Sequence, residues 1–309
     1  MPPRILPLGN PRRRLLFSVV FASLAAAACH PGNEEAKRLR AACDSNDAAA
    51  CNQFAVKLQK GEYVLRDEPH AAALFQRACD ARVGDGCASL GLMYQRGAGV
   101  KRDSARAPAL FAQGCEYDAM ESCAQLGILH RLGAGVARDV ARAAGLFQQA
   151  CDKDNPTGCA NLGMLYALGE GVGQDFARAA PLLTKSCEAK VPLGCLGLGR
   201  LYSAGTGVPK SDSAAASLFR VACDASEMGG CFSLARAYES GAGVPLNFQA
   251  AARLYRQACS ARNGEGCYRL SALHERGAGV TRDSSAAATM KRRACDYGHT
   301  PACEKPKPT

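Results

Sequence analysis

The sequence predicts an all-α solenoid of about seven 36-residue helix-turn-helix units. Three observations carry that expectation. Cysteines recur eight residues apart at Cys43/Cys51, Cys79/Cys87, Cys115/Cys123, Cys151/Cys159, Cys187/Cys195, Cys223/Cys231, Cys259/Cys267 and Cys295/Cys303, and each pair follows the last by 36 residues without insertion. A fixed period of that size marks stacked supersecondary units. Units carry G-x-G-V near their middle, as in "GAGV" at 97–100 and "GTGV" at 205–208. The 309-residue chain has no Trp, 6% aromatic residues and 32 Gly, which argues against one large aromatic core and for helices in close contact.

With the first cysteine of each unit as position 1, the first helix is expected from about the second cysteine. Position 12 (Phe54, Leu90, Leu126, Leu162, Leu198, Leu234, Leu270) and position 16 (Leu58, Tyr94, His130, Tyr166, Tyr202, Tyr238, His274) are four apart and share one buried stripe. Position 13 between them is always small (Ala55, Gly91, Gly127, Gly163, Gly199, Ala235, Ser271), which lets a paired helix approach. G-x-G-V then ends the helix, because Gly adopts backbone angles closed to other residues. Tyr63 replaces the second Gly in the first unit. Three residues after the Val stand Asp67, Asp103, Asp139, Asp175, Ser211, Asn247 and Asp283, all N-cap types that open the second helix. Leu74, Leu110, Leu146, Leu182, Leu218, Leu254 and Met290 share one phase of it. Pro108 and Pro181 fall within or near its first turns and are expected to shift its start or bend it. Residues 33–42, "NEEAKRLRAA", read as a charged capping helix. "ACEKPKPT" stops where another first helix is due, leaving the last face uncapped or covered by the tail.

Residues eight apart in a continuous helix lie about 12 Å apart. A disulfide needs Cα atoms about 4.4–6.8 Å apart. Disulfide pairing therefore requires each joint between units to fold back, and each closed loop is worth roughly 2–3 kcal/mol. Zinc is the competing use of paired cysteines, but its ligands usually pair at two to four residues.

The start of the chain favours oxidation. Arg4 and Arg12 to Arg14 precede an apolar run from Leu15 to Ala28, too short for a comfortable membrane span, which ends in small residues as a secretory signal does. Ala26-Ala27-Ala28 followed by Cys29 resembles a bacterial lipobox with Cys29 as the lipidated residue, although Ala26 stands where Leu is preferred. Ordinary signal cleavage is the alternative. Cys29 is the odd one of 17 cysteines, and lipidation removes a thiol that is a liability in an oxidising compartment. The expected organisation is a signal over 1–28, a lipidated linker and capping helix over 29–42, the solenoid over 43–303 and a tail over 304–309. Loss of 1–28 removes four Arg and no acids, leaving a formal charge of +6 that suits an anionic envelope surface. Nucleic acid is not an expected partner, and membrane contact is expected only through the lipid. The place implied is the bacterial envelope, periplasmic or outer-membrane anchored, or otherwise the exterior.

The succession L-G-x-x-Y, G-x-G-V and D-x-x-x-A-A-x-L-F, closed by a paired cysteine, resembles the Sel-one-like repeats, relatives of the tetratricopeptide repeat. The C-x7-C form at a strict 36-residue period is similar to the secreted cysteine-rich Hcp-type proteins of bacteria. The resemblance covers residues 43–303. It implies a right-handed superhelix of antiparallel helix pairs, a concave groove lined mainly by first helices, and an adaptor role. The Hcp-type branch also implies binding of penicillin-like compounds and has been called β-lactamase.

Serine β-lactamase chemistry needs S-x-x-K, and neither that tetrad nor K-T-G occurs. The histidines at 30, 70, 130, 274 and 299 have no helical ligand spacing, so no metal or cofactor is expected. His130 and His274 hold the Tyr position as core residues, and His70 reads as helix surface. By analogy with tetratricopeptide geometry, positions 10, 14 and 17 face the groove. They supply Leu92, Ile128, Met164, Arg200 and Arg236 at position 14, Phe232 and Tyr268 at position 10, and Glu239 at position 17. Such a groove, apolar at first and then charged and aromatic, grips an extended peptide or a peptide-like ligand such as a cell-wall fragment. The apolar members serve equally well as packing between helices. The expectation is a protein- or peptide-binding scaffold, with a β-lactam-binding, weakly hydrolysing enzyme as the alternative.

Overall fold

Each 36-residue unit builds two helices of about thirteen residues and two tight connections, and those connections position everything else. The computed structural model describes residues 31–303; the signal segment, Cys29 and the tail 304–309 lie outside the described residues. Fifteen α-helices follow one another there, with no strand among the described residues: α1 Pro31–Asp44, α2 Ala48–Lys60, α3 Glu68–Asp80, α4 Gly84–Arg96, α5 Arg106–Glu116, α6 Met120–Leu132, α7 Val140–Asp152, α8 Pro156–Leu168, α9 Phe176–Glu188, α10 Pro192–Ala204, α11 Asp212–Asp224, α12 Met228–Ser240, α13 Phe248–Ser260, α14 Gly264–Arg276 and α15 Ser284–Asp296. A 3-10 turn, Thr300–Ala302, closes the series where the next first helix was due. The chain forms two compact units, one ending at Ser122 and one beginning at Cys123. Within each, a helix packs on its neighbours in sequence: α1 on α2, α2 on α3, α3 on α4 and α4 on α5 in the first, and α7 through α15 in order in the second.

The joint between repeats is a corner of three non-helical residues. At the second joint Arg82 takes left-handed angles (φ 63°), its N–H donates to the Cys79 carbonyl, and the Val83 N–H donates to the Ala78 carbonyl. Those two hydrogen bonds satisfy orphan carbonyls of α3. Val83 then begins the next helix directly, so one residue ends a helix and caps its successor. Where it is Asp47, Asn155 or Asn263, its side chain accepts from the N–H of Ala50, Gly158 or Gly266; Val83 and Val191 supply no such bond. First helices thus start three residues before the second cysteine, not at it as the sequence predicted. The reversal brings the cysteines together. Cα–Cα distances are 4.5 Å for Cys43–Cys51, 4.7 Å for Cys79–Cys87 and 4.6 Å for Cys151–Cys159. They are 4.5 Å for Cys187–Cys195, 4.4 Å for Cys223–Cys231, 4.6 Å for Cys259–Cys267 and 4.9 Å for Cys295–Cys303. Cys115 and Cys123 are likewise disulfide-bonded cysteines.

The turn inside each repeat depends on its glycines. Gly205 ends α10 at φ 71°, with its N–H on the Leu201 carbonyl. Gly207, also at φ 71°, lies against the start of the preceding repeat's second helix, where a Cβ would come within 2.5 Å of the Phe176 carbonyl oxygen. Second helices then open on the expected caps: Asp67, Asp139, Asp175, Ser211, Asn247 and Asp283 each accept a backbone N–H. Asp103 does so too, but α5 begins at Arg106, two residues later than its counterparts, because Pro108 cannot donate within the first turn. Pro181 does not shift its helix; α9 runs through it from the regular start.

The core rests on two positions that the sequence stripe passed over. Position 33 of the second helix (Phe75, Phe111, Phe147, Leu183, Phe219, Tyr255) is buried, and Phe111, Phe147, Leu183 and Phe219 fill the notch left by the glycine at position 13. A Cβ on Gly91 or Gly127 would meet Phe111 or Phe147 at 2.7 Å. Position 15 (Met93, Leu129, Leu165, Leu201, Ala237, Leu273) is buried beside position 12. Position 16 is correspondingly shallower: Tyr94, Tyr166 and Tyr238 are half-buried, with their hydroxyls accepting from Arg106 at 2.8 Å, Arg178 at 3.2 Å and Arg220 at 3.1 Å. His130 is buried as expected, but His274 is only half-buried. The last helix, α15, has Lys291 in place of the aromatic and buries little beyond Ala287 and Ala294.

A methyl group added at Gly241 would meet nothing closer than 3.8 Å, so Gly241→Ala is expected to cost ~1 kcal/mol, for left-handed backbone alone. Gly207→Ala adds a collision with backbone that cannot move aside, and is expected to cost about 2–3 kcal/mol. Urea denaturation of the two variants should show the difference.

Candidate functional site

Stacking identical units puts equivalent side chains side by side, one per repeat. In the second unit this brings α10, α11, α12 and α14 around a surface pocket of about 660 Å³. Arg200 and Arg236, both at position 14, line it together with Phe232 and Glu239, so four of the eight predicted groove residues share one site. The floor is apolar: Phe219 and Phe232 are buried, with Ala215, Ala216 and Ala237 around them. Phe232 leans on Tyr255 at a ring separation of 5.7 Å.

One wall is a closed electrostatic network. The Tyr255 hydroxyl donates to Glu239 at 2.6 Å, and Glu239 pairs with Arg276 at 3.1 Å and Arg269 at 3.8 Å. Arg269 also reaches Glu265 at 3.5 Å. Burial, followed by the Glu239 carboxylate, drives the Tyr255 hydroxyl far above its ordinary pKa, so it stays a donor. Asp212 lies 3.9 Å from Lys210.

Arg200 and Arg236 are not ion-paired within that network, although the Arg236 charge acts on the Tyr255 hydroxyl. Among the described residues, no carboxylate lies within 4 Å of either guanidinium. Both residues are exposed. The protein around the Arg200 head group nevertheless lowers its pKa from the usual arginine value by desolvation, which the Glu227 charge partly opposes. Solvent exposure decides what a ligand can reach, so Arg200 is an accessible cation in partly dried surroundings.

The other predicted groove residues lie elsewhere. Leu92 is half-buried in the first unit, and Ile128 is half-buried against the Phe147 and Leu162 cluster. Met164 is 8% exposed and packs over Gly197, where a Cβ would meet its sulfur at 2.8 Å; it is interhelical packing and not open groove surface. Tyr268 stacks on His299 at 4.8 Å and does not line the pocket. The sequence stripe missed Ser233 and Arg269, both at position 11, and the second-helix residues Asp212 and Phe219. The 3.6-residue period run backward from position 14 reaches position 11; nothing in the first-helix pattern points to α11. Among the described residues, no three His, Cys, Asp or Glu side chains gather to hold a metal, and no helix is long and apolar enough to cross a membrane.

Tyr255→Phe removes the hydroxyl donor to half-buried Glu239 while keeping the ring in place. The expected cost is about 1–2 kcal/mol, read from thermal denaturation.

The profile of the Sel1 repeat matches residues 48–82, 84–116, 121–155, 156–191, 192–227, 230–263 and 264–299. Among solved structures, c5321, a protective antigen of uropathogenic Escherichia coli with an SLR fold, is 25% identical with a TM-score of 0.61. The match covers 86% of this chain, which spans only 57% of that protein's length. A Sel1 repeat protein from Oxalobacter formigenes aligns over 84% of this chain and 98% of its own, at 16% identity and a TM-score of 0.65, a likeness of fold alone. Cysteine-rich protein B of Helicobacter pylori is 29% identical over 44% of this chain and 97% of its own, with a TM-score of 0.34. No curated protein matches the chain in sequence.

Proposed function

Because the chain belongs to the Sel1 repeat family, a helical repeat fold generally used for protein binding, we propose that it is an exported protein- or peptide-binding scaffold of the bacterial envelope. The observation that carries this reading is the pocket of the second unit. It joins an apolar floor at Phe219 and Phe232 to two arginines that make no ion pair among the described residues, on helices whose corners are pinned by disulfides. Apolar area beside a few oriented polar groups is what a peptide site offers.

The oxidised cysteines support an oxidising compartment. The basic start and apolar run of residues 1–28 support export, with Cys29 as the lipid attachment and residues 29–42 as the link to the repeats. β-Lactam hydrolysis gains no support from the pocket, whose serines, Ser203, Ser233 and Ser240, have no lysine among the residues lining it with them.

A photoreactive amino acid in place of Ser233 tests the pocket in the cell, with the same replacement at exposed Arg292 as control. Ultraviolet light is expected to give discrete adducts with an envelope protein from position 233 only. No adducts, or the same adducts from both positions, overturns the reading. Fractionation tests the anchor separately. The chain is expected in the membrane fraction, and Cys29→Ser is expected to move most of it to the soluble fraction.

A further inference from the structure

We infer that Arg200 and Arg236 form a two-point clamp for a carboxylate, and that the ligand of the pocket is a peptide presenting that carboxylate beside an apolar side chain. This rests on the reading of the pocket as a peptide site and names what the peptide must carry.

The acids that line the pocket are engaged. Glu239 receives Tyr255, Arg269 and Arg276; Glu265 receives Arg269; Asp212 has Lys210 beside it. Arg269, the third arginine of the lining, is therefore committed to the wall. Of the three lining arginines, Arg200 and Arg236 are the two without an ion pair among the described residues. They occupy the same position of successive first helices, so stacking of the repeats brings both residues to the lining of one pocket. A guanidinium offers a planar fork that matches a carboxylate with two parallel hydrogen bonds. Desolvation around Arg200 strengthens such a bond over one made in open water.

The floor selects the rest of the ligand. Phe219 and Phe232, with Ala215, Ala216 and Ala237, are nearly buried, and the small part of them that reaches the pocket is an apolar floor with no charge of its own. A bare inorganic anion leaves that surface unused. A peptide with a carboxylate next to an aromatic or branched side chain fills both parts. The carboxylate has two sources, the C-terminus of a chain or an Asp or Glu side chain, and the chemistry of the clamp is the same for both.

The test uses the full, oxidised chain and three fluorescent peptides read by polarisation. The first ends Ala-Ala-Phe with a free carboxylate, the second is its C-terminal amide, and the third is Ala-Asp-Phe amide. At least one carboxylate peptide is expected to bind about tenfold or more tightly than the neutral amide, as expected for loss of a charge-assisted hydrogen bond. Binding by the first alone assigns a chain terminus, and binding by the third alone assigns an acidic side chain. Arg200→Ala and Arg236→Ala are each expected to weaken that binding by about tenfold, Arg236→Lys by less, and Arg292→Ala not at all. Thermal melts matching the wild type show that the variants are folded.

Equal binding of acid and amide overturns the clamp, as does no binding by any of the three. Displacement of the peptide by inorganic phosphate at a lower concentration than by unlabelled peptide also overturns it, because the site is then a plain anion site. Failure of the clamp is separable from failure of the peptide site. Adducts from position 233 that survive Arg200→Ala and Arg236→Ala leave the site standing and remove the clamp.

Discussion

The corner between repeats governs the rest of the structure. Only three residues separate one helix from the next, and the residue that completes the helical stop also begins the following helix. So short a reversal leaves the two cysteines with Cα atoms 4.4–4.9 Å apart at seven of the joints. It also leaves little room just before the second cysteine, where the chain places Gly, Ala or Ser. A Cβ on Gly86, Gly158 or Gly230 would meet Ala78 at 2.8 Å, Ala150 at 2.6 Å or Ala222 at 2.6 Å. Seven corners place a non-glycine residue in left-handed angles, among them Asn46, Lys190 and Arg262, at a cost of order 1 kcal/mol each. The bridge across the corner removes open alternatives from the unfolded chain and offsets that strain. The 36-residue step has a different origin, in helix phase. One extra residue in either helix turns the remainder of the chain by about 100° and takes the next repeat out of register with the one before it.

Much of this was legible in the residues. Cysteine spacing announced the corners, G-x-G-V the turns, and a run of Asp, Asn and Ser the second-helix caps. The first-helix start was hidden because its cap position holds Asp, Val, Ala, Asn, Val, Glu and Asn in succession, a mixture without a signal. The aromatic at position 33 was hidden by its neighbour. Leu at position 32 and Phe at position 33 both lie within a broad helical stripe, and only the partner helix decides which goes deeper. The notch of Gly91 facing Phe111 is such a decision.

The site divides along similar lines. Arg200 and Arg236 stood out because they hold a position that earlier repeats fill with Val56, Leu92, Ile128 and Met164. Their polarity was readable, and so was their shared phase. Phe219 and Asp212 were not, because they arrive from a different helix and no periodicity within one helix reports on another. Rigid placement matters for binding, since a ligand does not have to order helices that are already fixed. Exposed ion pairs between repeats, such as Lys185 with Asp154 at 2.5 Å, add little to that rigidity. The disulfides and the aromatic-on-glycine contacts supply it.

Tyr63 sets the first repeat apart from those that follow. It stands at φ 62° where the later repeats have Gly, and its ring lies against Gly32 of α1. In an interior repeat that position faces the main chain of the helix before it, as Gly207 faces Phe176. Moved to another interior place, an interior repeat keeps the glycine which that packing needs. The first repeat does not. Copied inward, it brings a phenol ring to a place already occupied by backbone.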